Sequence, residues 1–165
     1  MKRTLKSALC LTLFSILLLV GCQVGESTSP PVVPQAHQAS ATCNGLELTL
    51  AIPLVSYAPD ENLSITLTTR NVSDQAMAIV APCVAPYRVE LQHYTGLGWE
   101  TRRTIPAATI PVRNEWTLGV GETHSLTMDV SVGHDWPKGR PLRIAAWING
   151  LKEPHATLPL HVAQK

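Results

Sequence analysis

From Asn44 onward, hydrophobic and polar residues alternate in short runs. Leu46, Leu48, Leu50 and Ile52 fall on one side of an extended segment, with Glu47 and Thr49 on the other. Leu63, Ile65 and Leu67 oppose Ser64, Thr66, Thr68 and Arg70, and Tyr87, Val89 and Leu91 oppose Arg88, Glu90 and Gln92. Leu126, Met128, Val130 and Val132 oppose Ser125, Thr127, Asp129 and Ser131. Leu142, Ile144, Ala146 and Ile148 oppose Arg143, Trp147 and Asn149, and Leu158, Leu160 and Val162 close the series. A period of two puts one face in a core and the other in water, so each segment reads as a half-buried β-strand. Ala76 to Ala81 is apolar throughout and reads as a fully buried strand. No window of eleven residues carries a helical stripe.

Turn chemistry fills the gaps. Ala58-Pro59-Asp60-Glu61-Asn62 and Asn71-Val72-Ser73-Asp74 separate early strands, and Thr95-Gly96-Leu97-Gly98 is a hairpin signal before Trp99. Gly119 to Glu122 and Pro137 to Pro141 each lead into a later strand. The pattern predicts an all-β fold, an immunoglobulin-like antiparallel β-sandwich of seven or eight strands. Thr104 to Asn114 is the least regular stretch and is expected to cross between sheets.

The first residues follow another rule. Lys2, Arg3 and Lys6 precede an uncharged run from Ala8 to Val20, short for a membrane span and suited to a signal-peptide core. Leu19-Val20-Gly21-Cys22 resembles the lipobox of bacterial lipoproteins, which implies cleavage before Cys22 and lipid on its thiol. Two or three acyl chains hold a protein at a membrane where one is marginal. Gln23 stands where inner-membrane retention would favour Asp, implying the outer membrane wherever the source has one. Residues 1–21 are then a signal peptide. Residues 22–42, rich in Ser, Pro, Gln and Ala, form a flexible lipidated linker, and residues 43–165 the folded domain.

Cleavage leaves ten basic against twelve acidic residues, a formal charge of −2. Such a balance offers no electrostatic footprint for nucleic acid. With Cys10 removed and Cys22 lipidated, Cys43 and Cys83 remain, in a compartment that permits disulfides. A bridge between them would close a loop of about 40 residues and stabilise by up to about 4 kcal/mol. The other reading is two buried thiols.

Constellations for catalysis are scarce. The histidines, His37, His93, His124, His134, His155 and His161, show no helical zinc spacing, and no nucleophile elbow or phosphate-binding glycine loop occurs. His134-Asp135 is a polar pair without further support. His124 and Met128 share a strand face with Met77 a possible neighbour, which raises copper, but Met128 also lies among core positions and Cys83 lacks a following His and Met. No catalytic residue, resident metal or cofactor is expected. Trp99, Trp116, Trp136 and Trp147 fill core or sheet ends, or mark a recognition surface; Trp99, Trp147 and Arg143 are the binding candidates. Arg102-Arg103, Lys138 and Arg140 read as solvated charges.

Four segments resemble the small Bacillus-type intracellular proteinase inhibitor (BsuPI) family: Leu63–Met77, Pro86–Glu100, Leu118–Val130 and Pro141–Gly150. They carry a strand ending in an Asn turn, a Tyr-led strand with Gly turn and Trp, a Leu-x-x-Gly-Glu lead into a late strand, and a closing strand. Together they span about half of the chain. The stretch between Trp99 and Trp116 departs from the family, and no reactive-site residue carries over. The resemblance implies an immunoglobulin-like fold and, as an alternative function, proteinase inhibition. The expected function is a membrane-anchored cell-envelope module that binds a protein or envelope component without catalysis; an exported copper-binding protein is a third reading.

Overall fold

The computed structural model describes residues 36–106 and 110–163, so Cys22, the signal peptide and most of the linker lie outside the described residues. Eleven strands follow one another: β1 (His37–Cys43), β2 (Leu46–Ile52), β3 (Ser56–Tyr57), β4 (Asn62–Asn71), β5 (Met77–Ala81), β6 (Tyr87–Tyr94), β7 (Trp99–Ile105), β8 (Asn114–Leu118), β9 (Thr123–Ser131), β10 (Leu142–Ile148) and β11 (His155–Val162). No helix occurs among the described residues.

The strands form a four-stranded sheet, β1-β2-β4-β9, a five-stranded sheet, β3-β11-β10-β6-β7, and a two-stranded ribbon, β5-β8. Every pairing is antiparallel except the short β3–β11 edge, so the fold is an antiparallel β-sandwich of immunoglobulin-like type. The alternating hydrophobic positions meet in its core. Leu48, Leu50, Leu67, Val89, Ile148 and Leu160 are fully buried there. Burying such a side chain contributes about 2 kcal/mol.

The six strands expected from alternation, the one from the Ala76–Ala81 run and the one implied by the Thr95–Gly98 hairpin are all present; β1, β3 and β8 are additional. β1 corrects the domain boundary, because the fold begins at least at His37, inside the stretch expected to be a linker. It carries only small residues on its half-buried side, Ala39, Ala41 and Cys43, so its period is faint. The turn after it is not faint. Asn44 and Gly45 have φ of 49° and 78°, as in a two-residue type I′ hairpin. A Cβ at residue 45 would also lie 2.7 Å from that of Ser73, so glycine is required twice over.

Two further expectations change. β5 pairs only with β8, and Ala78 and Val80 are exposed, so this strand is not buried on both faces. Cys43 and Cys83 are free thiols, not a bridged pair. The Cys83 sulfur instead lies 3.4 Å from the Ala85 carbonyl, in a buried bend after β5.

A polar residue ties the ribbon to the sandwich. Asn71 is fully buried; its Nδ2 donates to the carbonyls of Gln75 at 2.7 Å and Leu118 at 3.0 Å. Its Oδ1 accepts from the Ser73 amide and hydroxyl, so the side chain is satisfied at both ends. The Gly119–Glu122 turn closes beside it, with Glu122 Oε2 accepting from the Gly119 amide at 2.6 Å.

Candidate functional site

The outward face of the five-stranded sheet holds the candidate site. Register fixes its rows. Arg88 on β6 faces Trp147 on β10, which faces His155 on β11. The next row is Thr104, Glu90, Ala145 and Thr157; the next is Thr101, Gln92, Arg143 and Pro159; Tyr94 and Trp99 end the face beside the hairpin. The three binding candidates, from two strands far apart in sequence, therefore lie on one surface.

That surface is a bonded network. Glu90 and Gln92, at 6% and 7% exposure, are buried on the side where alternation predicts solvent. Glu90 accepts from Thr101 Oγ1 at 2.5 Å and Gln92 Nε2 at 2.8 Å and pairs with the Arg88 guanidinium. Gln92 Oε1 in turn accepts from Arg143 Nε at 2.8 Å. The Arg143 guanidinium lies 4.3 Å from the centre of the Trp99 ring, a cation–π distance, and Trp99 meets Tyr94 edge-on at 5.6 Å. A continuous chain thus runs from Arg88 through Glu90, Gln92 and Arg143 to Trp99.

The electrostatics follow. Burial alone would raise the Glu90 pKa, but the hydrogen bonds from Thr101 and Gln92, with the Arg88 charge, outweigh it and hold the carboxyl below its ordinary value. Burial pulls the Arg143 pKa down from its usual value. Such a network holds each of its side chains in one arrangement, because every member is fixed by the next.

Beside it, a cleft of about 350 Å³ is lined by Arg88, Glu90, Trp147, Asn149 and Lys152. Trp147 forms one wall and stacks on His155 at 5.9 Å. Asn149 Nδ2 is engaged by the Ala85 and Tyr87 carbonyls, which positions its side chain at the rim. Sequence reasoning missed Glu90, Gln92 and Tyr94, because period two marks an outward residue without saying whether neighbours cover it.

The remaining candidates lie elsewhere. Trp136 is in the core at 4% exposure, and Trp116 is half-buried with its ring 5.8 Å from that of His124. His124 Nδ1 lies 3.1 Å from the Tyr87 hydroxyl, between two aromatic rings. Met128 is half-buried two positions along the same face, and no three His, Cys, Asp or Glu side chains converge as a metal site among the described residues. His134 pairs with Asp60 at 2.9 Å, not with its neighbour Asp135.

No protein-family model and no curated protein sequence matches the chain. Among solved structures it is similar to Spo0M, a sporulation control protein from Bacillus subtilis, at 14% identity and a TM-score of 0.52, over 74% of this chain and 51% of that one. The chain therefore spans about half the length of that protein. Weaker likenesses are to the alkylpurine DNA glycosylase AlkC of Pseudomonas fluorescens (11% identity, TM-score 0.43, 71% of this chain and 30% of that one) and a β-glucosidase from Listeria innocua (17%, 0.44, 72% and 16%). The Spo0M likeness concerns the β-rich fold alone, and the other two carry no argument.

Proposed function

We propose that the chain is a lipid-anchored, non-catalytic binding module of the cell envelope that engages a protein or envelope component through the outward face of its five-stranded sheet. One observation carries the reading: Trp99, Arg143 and Trp147 share a face on which buried Glu90 and Gln92 lock the polar groups in place. Aromatic and arginine side chains held in one conformation are the usual centres of recognition surfaces. The anchor rests on the lipobox resemblance at Cys22 and places the domain outside the cytoplasm.

The test places a photo-reactive residue at Trp99 or Trp147 in the membrane-anchored protein, with Thr68 on the opposite sheet as control. Adducts of one defined mass from the first two positions, absent from Thr68, support the surface; equal labelling from all three overturns it. Proteinase inhibition, suggested by the BsuPI resemblance, is the alternative and requires stoichiometric loss of protease activity on titration. For the anchor, Cys22→Ala is expected to give uncleaved, unlipidated precursor. Normal cleavage and lipid labelling in that variant would remove the lipoprotein assignment.

A further inference from the structure

Away from the network, two adjoining clefts open where β7 meets the loop between β9 and β10. One, of about 190 Å³, is lined by Arg102, Arg103, Asp135 and Trp136; the other, of about 240 Å³, by His93, Arg102, Asp135, Lys138 and Arg140. Arg102, Asp135 and Pro137 belong to both.

A backbone irregularity builds the pair. Consecutive residues of a regular strand point to opposite faces, so Arg102 and Arg103 should diverge. Here Thr101 pairs with Gln92 and Arg103 with Leu91, leaving Arg102 as the extra residue of a bulge. The bulge re-aims the strand so that both arginines line one cleft. The facing loop is held equally firmly. Trp136 is buried in the core, and its amide donates to the Gly133 carbonyl at 3.1 Å. A Cβ at residue 133 would meet the Asp135 carboxylate, so a side chain there would push that carboxylate from its place in the clefts.

Charge in the clefts is unbalanced. Arg102, Arg103, Lys138 and Arg140 face one carboxylate, Asp135, and none of the four forms an ion pair among the described residues. His93, at 6% exposure, turns Nδ1 to the Glu100 carbonyl at 3.3 Å, and its Nε2 makes no hydrogen bond among the described residues. Guanidinium groups present planar forks of donors that match phosphoryl oxygens, and clustered cations repel one another until an anion neutralises them.

We infer that the paired clefts bind a ligand bearing two phosphoryl groups, one in each cleft, with Arg102 between them. The same chemistry is offered by a soluble diphosphate or by a lipid headgroup with two phosphodiesters. The test is calorimetric titration of the detergent-solubilised full chain with two soluble probes. Pyrophosphate stands for the first source; bis(glycerophospho)glycerol, the deacylated cardiolipin headgroup, stands for the second. One saturable site per chain is expected, weakened at least tenfold by Arg102→Ala or Arg140→Ala and unchanged by Arg70→Ala on the opposite sheet. The probe that binds more tightly identifies the source. Should Arg102→Ala not fold, Arg140→Ala and Lys138→Ala on the exposed loop carry the same test. Absence of saturable binding by either probe, insensitivity to these substitutions, or equal weakening by Arg70→Ala would overturn the inference.

Discussion

The outward faces of the two sheets carry the same polar half of a period-two pattern and do different things with it. On the four-stranded sheet, hydroxyls pair across strands: Ser40 with Thr49 at 2.7 Å, Thr66 with Thr127 at 3.0 Å and Thr68 with Ser125 at 2.8 Å. These bonds are exposed, so water competes with each, and the face is a solvated exterior. The five-stranded sheet instead buries a carboxylate and an amide under arginines and tryptophans and links them into one chain. There each partner depends on the next, since an unmet buried donor or acceptor costs more than an exposed one gains. The contrast teaches that the polarity of a sheet face does not show how its groups are held. What matters is whether polar groups are covered and mutually satisfied.

The two faces can be separated by substitution. The largest effect belongs to Glu90→Ala, which strips Thr101, Gln92 and Arg88 of their shared acceptor; chemical denaturation should show a loss of about 2–4 kcal/mol. The same carboxylate sets a pH dependence. Its pKa is lower in the fold than in the unfolded chain, where it is about 4.3. Its stabilisation is therefore present above that pH and lost as pH falls through the lower folded value. Glu90→Gln should flatten this part of the stability profile, and an unchanged acid limb would show that Glu90 gains nothing from its neighbours. Next in size is Arg143→Ala, which removes the Gln92 bond and the Trp99 contact. A loss of about 1–2 kcal/mol is expected, together with release of Trp99 fluorescence to a more solvated environment. Smallest is Thr66→Val on the other sheet, within about 0.5 kcal/mol of the parent by the same assay. A Thr66 effect as large as that of Glu90 would erase the distinction between the faces.

Much of the fold was legible because the β-pleat repeats every two residues and a core accepts only apolar side chains. That rule located β2, β4, β6, β9, β10 and β11 and put Leu48, Leu67 and Ile144 inside. It failed where the signal was chemical and local. β1 lacks large apolar residues, so its only mark in the sequence is the Asn44-Gly45 turn that follows it; β8 is short and half-covered. It also failed where pairing decides coverage, as for β5, whose apolar run belongs to a two-stranded ribbon.

The sequence by itself determined the sandwich and named Trp99, Arg143 and Trp147 as residues worth watching, because strand alternation and residue chemistry are local properties. Only the tertiary structure decided that these three share a face and that Glu90 and Gln92 are sealed beneath them. It also decided that a bulge turns Arg102 and Arg103 into one cleft and that Cys43 and Cys83 are free thiols. Each of those facts depends on which strands become neighbours and in what register, and a one-residue change of register would have reversed the facing of every side chain on a strand.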